Sequence, residues 1–173
     1  MRMCGVVVLA VGTVAAGPFA AEANGPKAHG PEAAVGCVGT NTIEFSPGLG
    51  LRARKTRISG TGAYTCVSAA PGFASAKSEI SGGGMNGCFA SEATTVEKII
   101  WRGGEKSVVV YSLGTVGQVA GQAIVLVAGK VVSGAFRGRT VTSPGTQLTL
   151  DLPSCATGRG VRLITGPSTL TIL

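Results

Sequence analysis

The sequence predicts an all-β fold, either an antiparallel β-sandwich of the immunoglobulin-like type or a flattened β-barrel, with about 8–10 strands and two disulfides. Glycine is abundant, at 28 residues, while charged residues make up 13% and apolar residues 45% of the chain. Valine, threonine, isoleucine and serine dominate between the glycines, which is typical of short strands joined by tight turns. No segment has a sustained helical period, so we expect little helix.

The predicted strands are runs of β-branched residues that recur along the chain at the spacing of a sandwich or barrel. They are Asn41–Ser46, Leu51–Tyr64, Ala74–Ser81, Thr94–Trp101, Lys106–Leu113, Ala123–Val132, Thr140–Thr142, Gln147–Leu152, Val161–Thr165 and Ser168–Leu173. Clusters of Gly, Pro and Ser near the ends of these runs predict turns. These clusters are Ser46–Gly48, Pro71–Gly72, Gly82–Gly84, Ser143–Gly145 and Gly166–Pro167.

The clearest local signal is a hairpin in which Gly103 and Gly104 form a primed two-residue turn. This turn places Trp101 opposite Lys106. In that register one face carries Glu97, Ile99, Trp101, Lys106, Val108 and Val110, and the other carries Val96, Lys98, Ile100, Ser107, Val109 and Tyr111. Both faces are mainly apolar, so we expect the hairpin to be covered on both sides.

The N-terminus is typical of a secretory signal peptide over residues 1–23. Arg2 supplies a positive end, Val6–Ala16 is apolar, and Ala21–Ala23 offers small residues for cleavage. The apolar run is shorter than the roughly 20 residues that a spanning helix needs. From its composition, we expect a flexible leader over residues 24–36 and a single all-β domain over residues 37–173. We therefore expect a secreted, extracellular protein with no membrane attachment after cleavage.

Four cysteines follow the expected cleavage site, namely Cys37, Cys66, Cys88 and Cys155. An even number in an exported chain predicts two disulfides. The sequence leaves all three connectivities open, with a slight preference for the sequential one, Cys37–Cys66 and Cys88–Cys155. The cysteines lack the close paired spacing of a zinc site, so we expect no metal.

The chain is basic, with 15 Lys and Arg against 8 Asp and Glu, and cleavage removes one residue of each sign. The densest basic segment holds Arg52, Arg54, Lys55 and Arg57, and strand alternation puts the first two on one side and the last two on the other. This split favours an edge strand protected by charge. The second interpretation is a site for an anionic polymer, extended by other cations if their loops converge. Those cations are Arg137, Arg139, Arg159 and Arg162.

No motif reaches the level of a catalytic or cofactor-binding signature. Catalysis by Ser or Cys needs a histidine base, and the single histidine, His29, lies in the expected leader. The glycine-rich Gly82–Gly87 lacks the Lys and Ser or Thr of a phosphate loop, so we expect a flexible loop there. Trp101 is the one plausible exposed aromatic platform, although core packing is favoured for it. The scattered carboxylates favour ion pairs over a catalytic pair; they are Glu44, Glu79, Glu92, Glu97, Glu105 and Asp151.

Four segments carry a resemblance to known proteins. They are TNTIEFSPGL at Thr40–Leu49, IWRGG at Ile100–Gly104, GKVVSGAFRG at Gly129–Gly138 and GPSTLTI at Gly166–Ile172. Together with the export signal, they resemble small secreted proteins of high-GC Gram-positive bacteria. The resemblance implies the setting of a secreted protein, and it carries over no functional residue.

The sequence favours a non-enzymatic extracellular or cell-envelope-associated binding module whose basic face meets an anionic wall or matrix polymer, without specific nucleic-acid recognition. Two alternatives stay open. One is a small secreted enzyme or enzyme inhibitor. The other is a barrel that carries an apolar ligand, because about eight strands can enclose an interior cavity.

Overall fold

The computed structural model describes residues 34–68, 70–119, 122–147 and 152–173. Eight antiparallel strands form one closed barrel, in which each strand pairs with its neighbours in sequence and the last pairs with the first. The strands are β1 Val35–Leu49, β2 Arg54–Val67, β3 Ser75–Asn86, β4 Ser91–Trp101, β5 Lys106–Val119, β6 Gln122–Gly134, β7 Thr140–Gln147 and β8 Val161–Ile172. A 3₁₀ turn, Pro71–Phe73, and a short helix, α1 Leu152–Cys155, lie in connections.

This topology confirms the all-β prediction and fits its barrel alternative, whereas the sandwich is not confirmed. The two predicted disulfides are present. The predicted signal peptide and most of the predicted leader lie outside the described residues, and β1 begins at Val35, within the segment predicted as leader. In the described ranges, no helix is long and apolar enough to cross a bilayer.

Most of the predicted turns lie inside strands, so the turn prediction was wrong there. Ser46–Gly48 falls in β1 at a β-bulge, Gly82–Gly84 in β3, Ser143–Gly145 in β7 and Gly166–Pro167 in β8. In β3 the glycines permit close approach of the next strand, because a Cβ at Gly82 or Gly84 would collide with carbonyl oxygens of β4. Predicted runs therefore join into fewer, longer strands, while most of the predicted run Gln147–Leu152 lies outside the described residues.

The β4–β5 hairpin is present, but its register differs from the prediction by one residue. Ile100 pairs with Lys106 and Ile99 with Ser107. Gly104 has a φ of 88° and donates its N–H to the Trp101 carbonyl oxygen, which closes a loop of three residues rather than two. The inward face is therefore Glu97, Ile99, Trp101, Ser107, Val109 and Tyr111.

The opposite face of this hairpin was predicted to be covered, and this was wrong. Lys98 and Ile100 are exposed, and Val96, Val108 and Val110 are half-buried. A closed single sheet has one interior, so the second face of each strand meets solvent.

Connections alternate between two ends of the barrel because successive strands run in opposite directions. One end, here the Trp101 end, carries the β2–β3, β4–β5 and β6–β7 connections. It is filled by Phe73, Trp101 and Phe136, whose rings meet edge to face at centroid distances of 4.9–5.3 Å. The other end, here the Cys88 end, carries the remaining connections and a smaller apolar cluster around the Cys88–Cys155 disulfide.

Candidate functional site

A cavity of about 150 Å³ lies inside the barrel, and residues of all eight strands line it. It extends from the middle of the barrel, at Glu97 and Tyr111, to Asn86 and Cys88 near the Cys88 end. Its wall is mainly apolar, and the aliphatic side chains include Ile43, Ile58, Ile80, Val127 and Ile164. Eight-stranded barrels are just wide enough to be filled by side chains or to hold one small ligand, and this one leaves space.

Glu97 lies at the inner end of this cavity and is 1% exposed. Its carboxylate accepts hydrogen bonds from three hydroxyl groups. Ser78 Oγ and Tyr64 Oη donate to Oε1 at 2.6 and 3.0 Å, and Tyr111 Oη donates to Oε2 at 2.6 Å. The donors come from β2, β3 and β5, so the carboxylate ties together strands on either side of its own. Hydrogen bonds to a charged acceptor are the strong ones, which explains how the carboxylate is tolerated in the interior.

Both tyrosines of the chain belong to this cluster. Burial is the main cause that raises the pKa of the Tyr64 and Tyr111 phenols above the ordinary value, and the negative charge of Glu97 raises it further. Each phenol therefore keeps its proton at neutral pH. The proton lies on the hydrogen bond to Glu97, so the phenol oxygen has only lone pairs left for other partners.

Asn41 adds an unpaired acceptor to the polar end of the cavity. Its Nδ2 donates to Ser168 Oγ at 3.1 Å, whereas its Oδ1 is buried without a hydrogen-bond partner. Buried polar atoms are nearly always paired, so the unpaired Oδ1 is an exception among the residues that line the cavity.

Gly62 makes room for this arrangement. A Cβ on Gly62 would lie 2.5 Å from Ser78 Oγ and 2.7 Å from Asn41 Oδ1. Any side chain there would push apart the two polar groups that it faces, so the glycine serves the cluster and not a turn.

The Lys and Arg side chains of the described residues lie outside the cavity. Every Lys and Arg in the described ranges is exposed or half-exposed, and none is buried. Glu97 is therefore a buried carboxylate without a buried cationic side chain in those ranges, and hydroxyl groups alone stabilise it there.

The structure pairs Cys37 with Cys66 and Cys88 with Cys155, the sequential connectivity. Cys37 and Cys66 face each other across β1 and β2 within the core of the Trp101 end. Cys88 follows β3 and lines the cavity, and Cys155 ends α1 in the β7–β8 connection. Two disulfides are compatible with an extracellular protein.

The predicted anion-binding residues do not gather on one face. Lys55 and Arg57 are exposed on the outer wall of β2, while Arg52 lies in the β1–β2 connection. Arg54 is half-buried, and its guanidinium donates to the Gly48 carbonyl oxygen, with a 2.9 Å bond from Nε. Its first role is therefore structural.

The edge-strand interpretation of this segment was wrong, because β2 pairs with β1 on one side and β3 on the other. The additional cations divide between the ends of the barrel. Arg159 and Arg162 lie near Gly48 at the Cys88 end. Arg137 and Arg139 lie in the β6–β7 connection at the Trp101 end. Arg159 and Arg162 therefore lie near the residue that Arg54 contacts, whereas the predicted extension of the basic segment by Arg137 and Arg139 was wrong.

The other sequence candidates divide between core and surface. Trp101 is 1% exposed and donates through Nε1 to Ser107 Oγ at 2.9 Å, so it is a core residue and not a binding platform. Glu44, Glu79, Glu92 and Glu105 are exposed, and Asp151 and His29 lie outside the described residues. Within the described ranges, no group of three or more His, Cys, Asp or Glu could hold a metal ion.

Sequence reasoning missed the polar cluster at Glu97. Ser78, Tyr64, Asn41 and Ser168 stand on four different strands, and their contacts with one another or with Glu97 span 19 to 127 residues. One signal was available. Glu97 occupies an inward position in an apolar alternating run, where a carboxylate needs partners.

Comparison with protein families, with curated proteins and with solved structures finds no match to this chain. The class of protein is therefore defined by its architecture. It is a closed eight-stranded antiparallel barrel with two disulfides and an interior cavity that is apolar along its wall and polar at its inner end.

Proposed function

We propose that this protein is an exported, non-enzymatic binding protein that carries one small, mainly apolar molecule inside its barrel. The observation that supports the proposal is the cavity of about 150 Å³ with its wall of Ile and Val side chains. A cavity of this volume accepts a molecule of about the size of benzene. Transfer of apolar surface from water to such a wall supplies the binding free energy.

The hydrogen bonds and protonation of the polar groups in the cavity favour ligand binding over catalysis. In the described lining, Glu97 is the one carboxylate, and hydrogen bonds from three hydroxyls hold it in place. General acid–base catalysis needs a group that gains or loses a proton near the working pH. The two phenols of the cluster keep theirs, because burial and Glu97 raise their pKa.

The basic surface has less support as the principal site. Lys55 and Arg57 lie on the outer wall of β2, whereas Arg52 lies in the β1–β2 connection. Arg54 donates a hydrogen bond to the Gly48 carbonyl oxygen. Contact with an anionic wall polymer stays a proposal for the protein's location, and it is compatible with a ligand inside the barrel. A net charge of +7 also favours solubility.

The test is calorimetric titration of the purified protein, both disulfides intact, with toluene and with indole. We expect saturable binding of one equivalent. Ala93 lines the cavity, so Ala93→Leu should fill space and abolish binding without loss of stability. Thr94→Leu is the matched control, because Thr94 is the exposed neighbour on the same strand. Absence of binding of any small aromatic probe to the unsubstituted protein, or unchanged binding in Ala93→Leu, would overturn the proposal.

A further inference from the structure

The inner end of the cavity presents hydrogen-bond acceptors, and three of the side chains there direct a proton elsewhere. Tyr111 uses its one hydroxyl proton on Glu97 Oε2. Ser143 Oγ donates to the Thr169 carbonyl oxygen at 2.7 Å. Asn41 donates from Nδ2 to Ser168 and leaves Oδ1 unpaired. These side chains line the cavity, so what they offer to a ligand is mainly lone pairs.

Charge acts in the same direction. Glu97 is a carboxylate that is 1% exposed, with hydroxyl groups as its described partners and no buried Lys or Arg in the described ranges. A cation in the cavity would be attracted to this carboxylate, and the low dielectric of the interior strengthens that attraction. The attraction offsets part of the free energy needed to remove the cation from water. An anion would meet like charge and acceptors.

We propose that the ligand of this cavity is a small primary amine with an apolar body, whose ammonium group binds at Glu97 and Asn41. This inference rests on the proposed function and names its ligand class. An ammonium group has three donors and no acceptor, which matches an unpaired amide oxygen and a carboxylate with lone pairs left. The apolar body of the amine lies against the Ile and Val wall towards the Cys88 end.

The cavity volume limits the body to about one benzene ring with a short substituent. Benzylamine is the probe that meets both conditions. Benzyl alcohol, toluene and benzoate keep the ring and replace the aminomethyl group of benzylamine by hydroxymethyl, methyl and carboxylate. The series therefore isolates the contribution of the head group.

The experiment measures the affinity of the four probes by calorimetry at neutral pH for the protein and two variants. We expect benzylamine to bind about tenfold more tightly than toluene, since hydrogen bonds to charged groups are the stronger ones. Benzoate should not bind. In Glu97→Gln, which keeps the shape and removes the charge, the preference for benzylamine over toluene should fall to about threefold or less.

The second variant keeps the test valid if Glu97→Gln folds poorly. Asn41→Ala removes the unpaired Oδ1 and leaves the three hydrogen bonds to Glu97 untouched. Asn41→Ala should weaken the binding of benzylamine and leave the affinity for toluene unchanged. Thr40→Ala, at the exposed neighbouring position of β1, is the matched control and should change neither.

Two different failures are distinguishable. If toluene binds as tightly as benzylamine, or if both variants retain the preference, the amine inference is overturned and the proposed function stands. If no probe binds, the proposed function is overturned and this inference with it.

Discussion

The hydroxyl of Tyr111 on β5 lies 2.6 Å from Oε2 of Glu97 on β4, across the hairpin closed by Arg102, Gly103 and Gly104. The contact depends on the length of that loop. A two-residue turn would shift the pairing by one position and put Tyr111 on the outer face. A third residue in one turn thus determines which side chain completes the polar end of the cavity.

Loss of the Glu97 carboxylate should destabilise the barrel. Glu97→Leu leaves three buried hydroxyls without their acceptor, and we expect a decrease of about 2–5 kcal/mol in the free energy of unfolding. Glu97→Gln should cost about 1–2 kcal/mol, since an amide still accepts from two of them. The measurement is guanidinium unfolding followed by Trp101 fluorescence. Glu79→Gln, at an exposed position of β3, is the control, and an equal effect there would contradict the role given to Glu97.

Alkaline pH should weaken the fold through its two tyrosines. Below the ordinary phenol pKa of about 10, both native and unfolded states are protonated, and these groups make stability independent of pH. Above it the unfolded chain ionises its phenols, while the native state keeps them protonated because their pKa is raised. The free energy of unfolding should therefore fall as pH rises above about 10.

Phenolate absorbance and Trp101 fluorescence recorded together test this expectation. Both phenols should ionise only as the protein unfolds. Tyr111→Phe should make the decline with pH shallower, because one titrating group is removed. Ionisation of both phenols near their ordinary pKa in the folded protein would show that they are not held as described.

A methyl group at Gly62 should disturb the cluster. Gly62→Ala places a Cβ 2.7 Å from Asn41 Oδ1, and we expect a loss of about 1–3 kcal/mol of stability together with weaker ligand binding. Gly36→Ala is the matched control in the neighbouring strand, since its Cβ meets nothing within 4 Å. Equal stability of the two variants would mean that the cavity relaxes around the added methyl.

The two disulfides should differ in function more than in stability. They close segments of 29 and 67 residues, for which chain entropy predicts losses of about 3.5 and 4.5 kcal/mol on removal. Replacement of Cys88 and Cys155 by Ala should also weaken toluene binding, because Cys88 lines the cavity. Replacement of Cys37 and Cys66 should leave the affinity of the folded protein unchanged. Unfolding curves and calorimetry on both pairs decide the matter.

Arg54 should behave as a structural residue among its basic neighbours. Arg54→Lys loses the forked donation to Gly48, and we expect a cost of about 1 kcal/mol. Arg57→Gln, on the outer wall of β2, should change stability by less than about 0.5 kcal/mol. If Arg57→Gln cost more stability than Arg54→Lys, Arg54 would have no special structural role and would again be a candidate anion-binding residue.

The sequence was sufficient for the all-β class and for the presence of a hairpin around Gly103 and Gly104, but not for the register of that hairpin. These follow from local alternation and turn chemistry. It misplaced a turn at Gly82–Gly84, because glycines that end a strand also allow strands to approach closely within a barrel. It also misplaced a turn at Gly166–Pro167, which lies within β8. Local signals do not distinguish the two uses.

The candidate site could not be predicted from the sequence for a different reason. Asn41 and Ser168 meet across the closure of β1 on β8, at a separation of 127 residues, and neither carries a motif. Whether Tyr111 faces inward depends on one residue in a turn. Such contacts follow from register and closure, which the hydrophobic pattern of single strands leaves open.

The aromatic rings of Phe73, Trp101 and Phe136 close the interior on one side of Glu97. The remaining space is bounded by Glu97 at its inner end and by Asn86, Cys88 and Ser91 towards the other. The size of the guest and the choice of its head group are then set by different residues. The residues around Ser91 limit how long a guest can be, and Glu97 determines which head group is preferred.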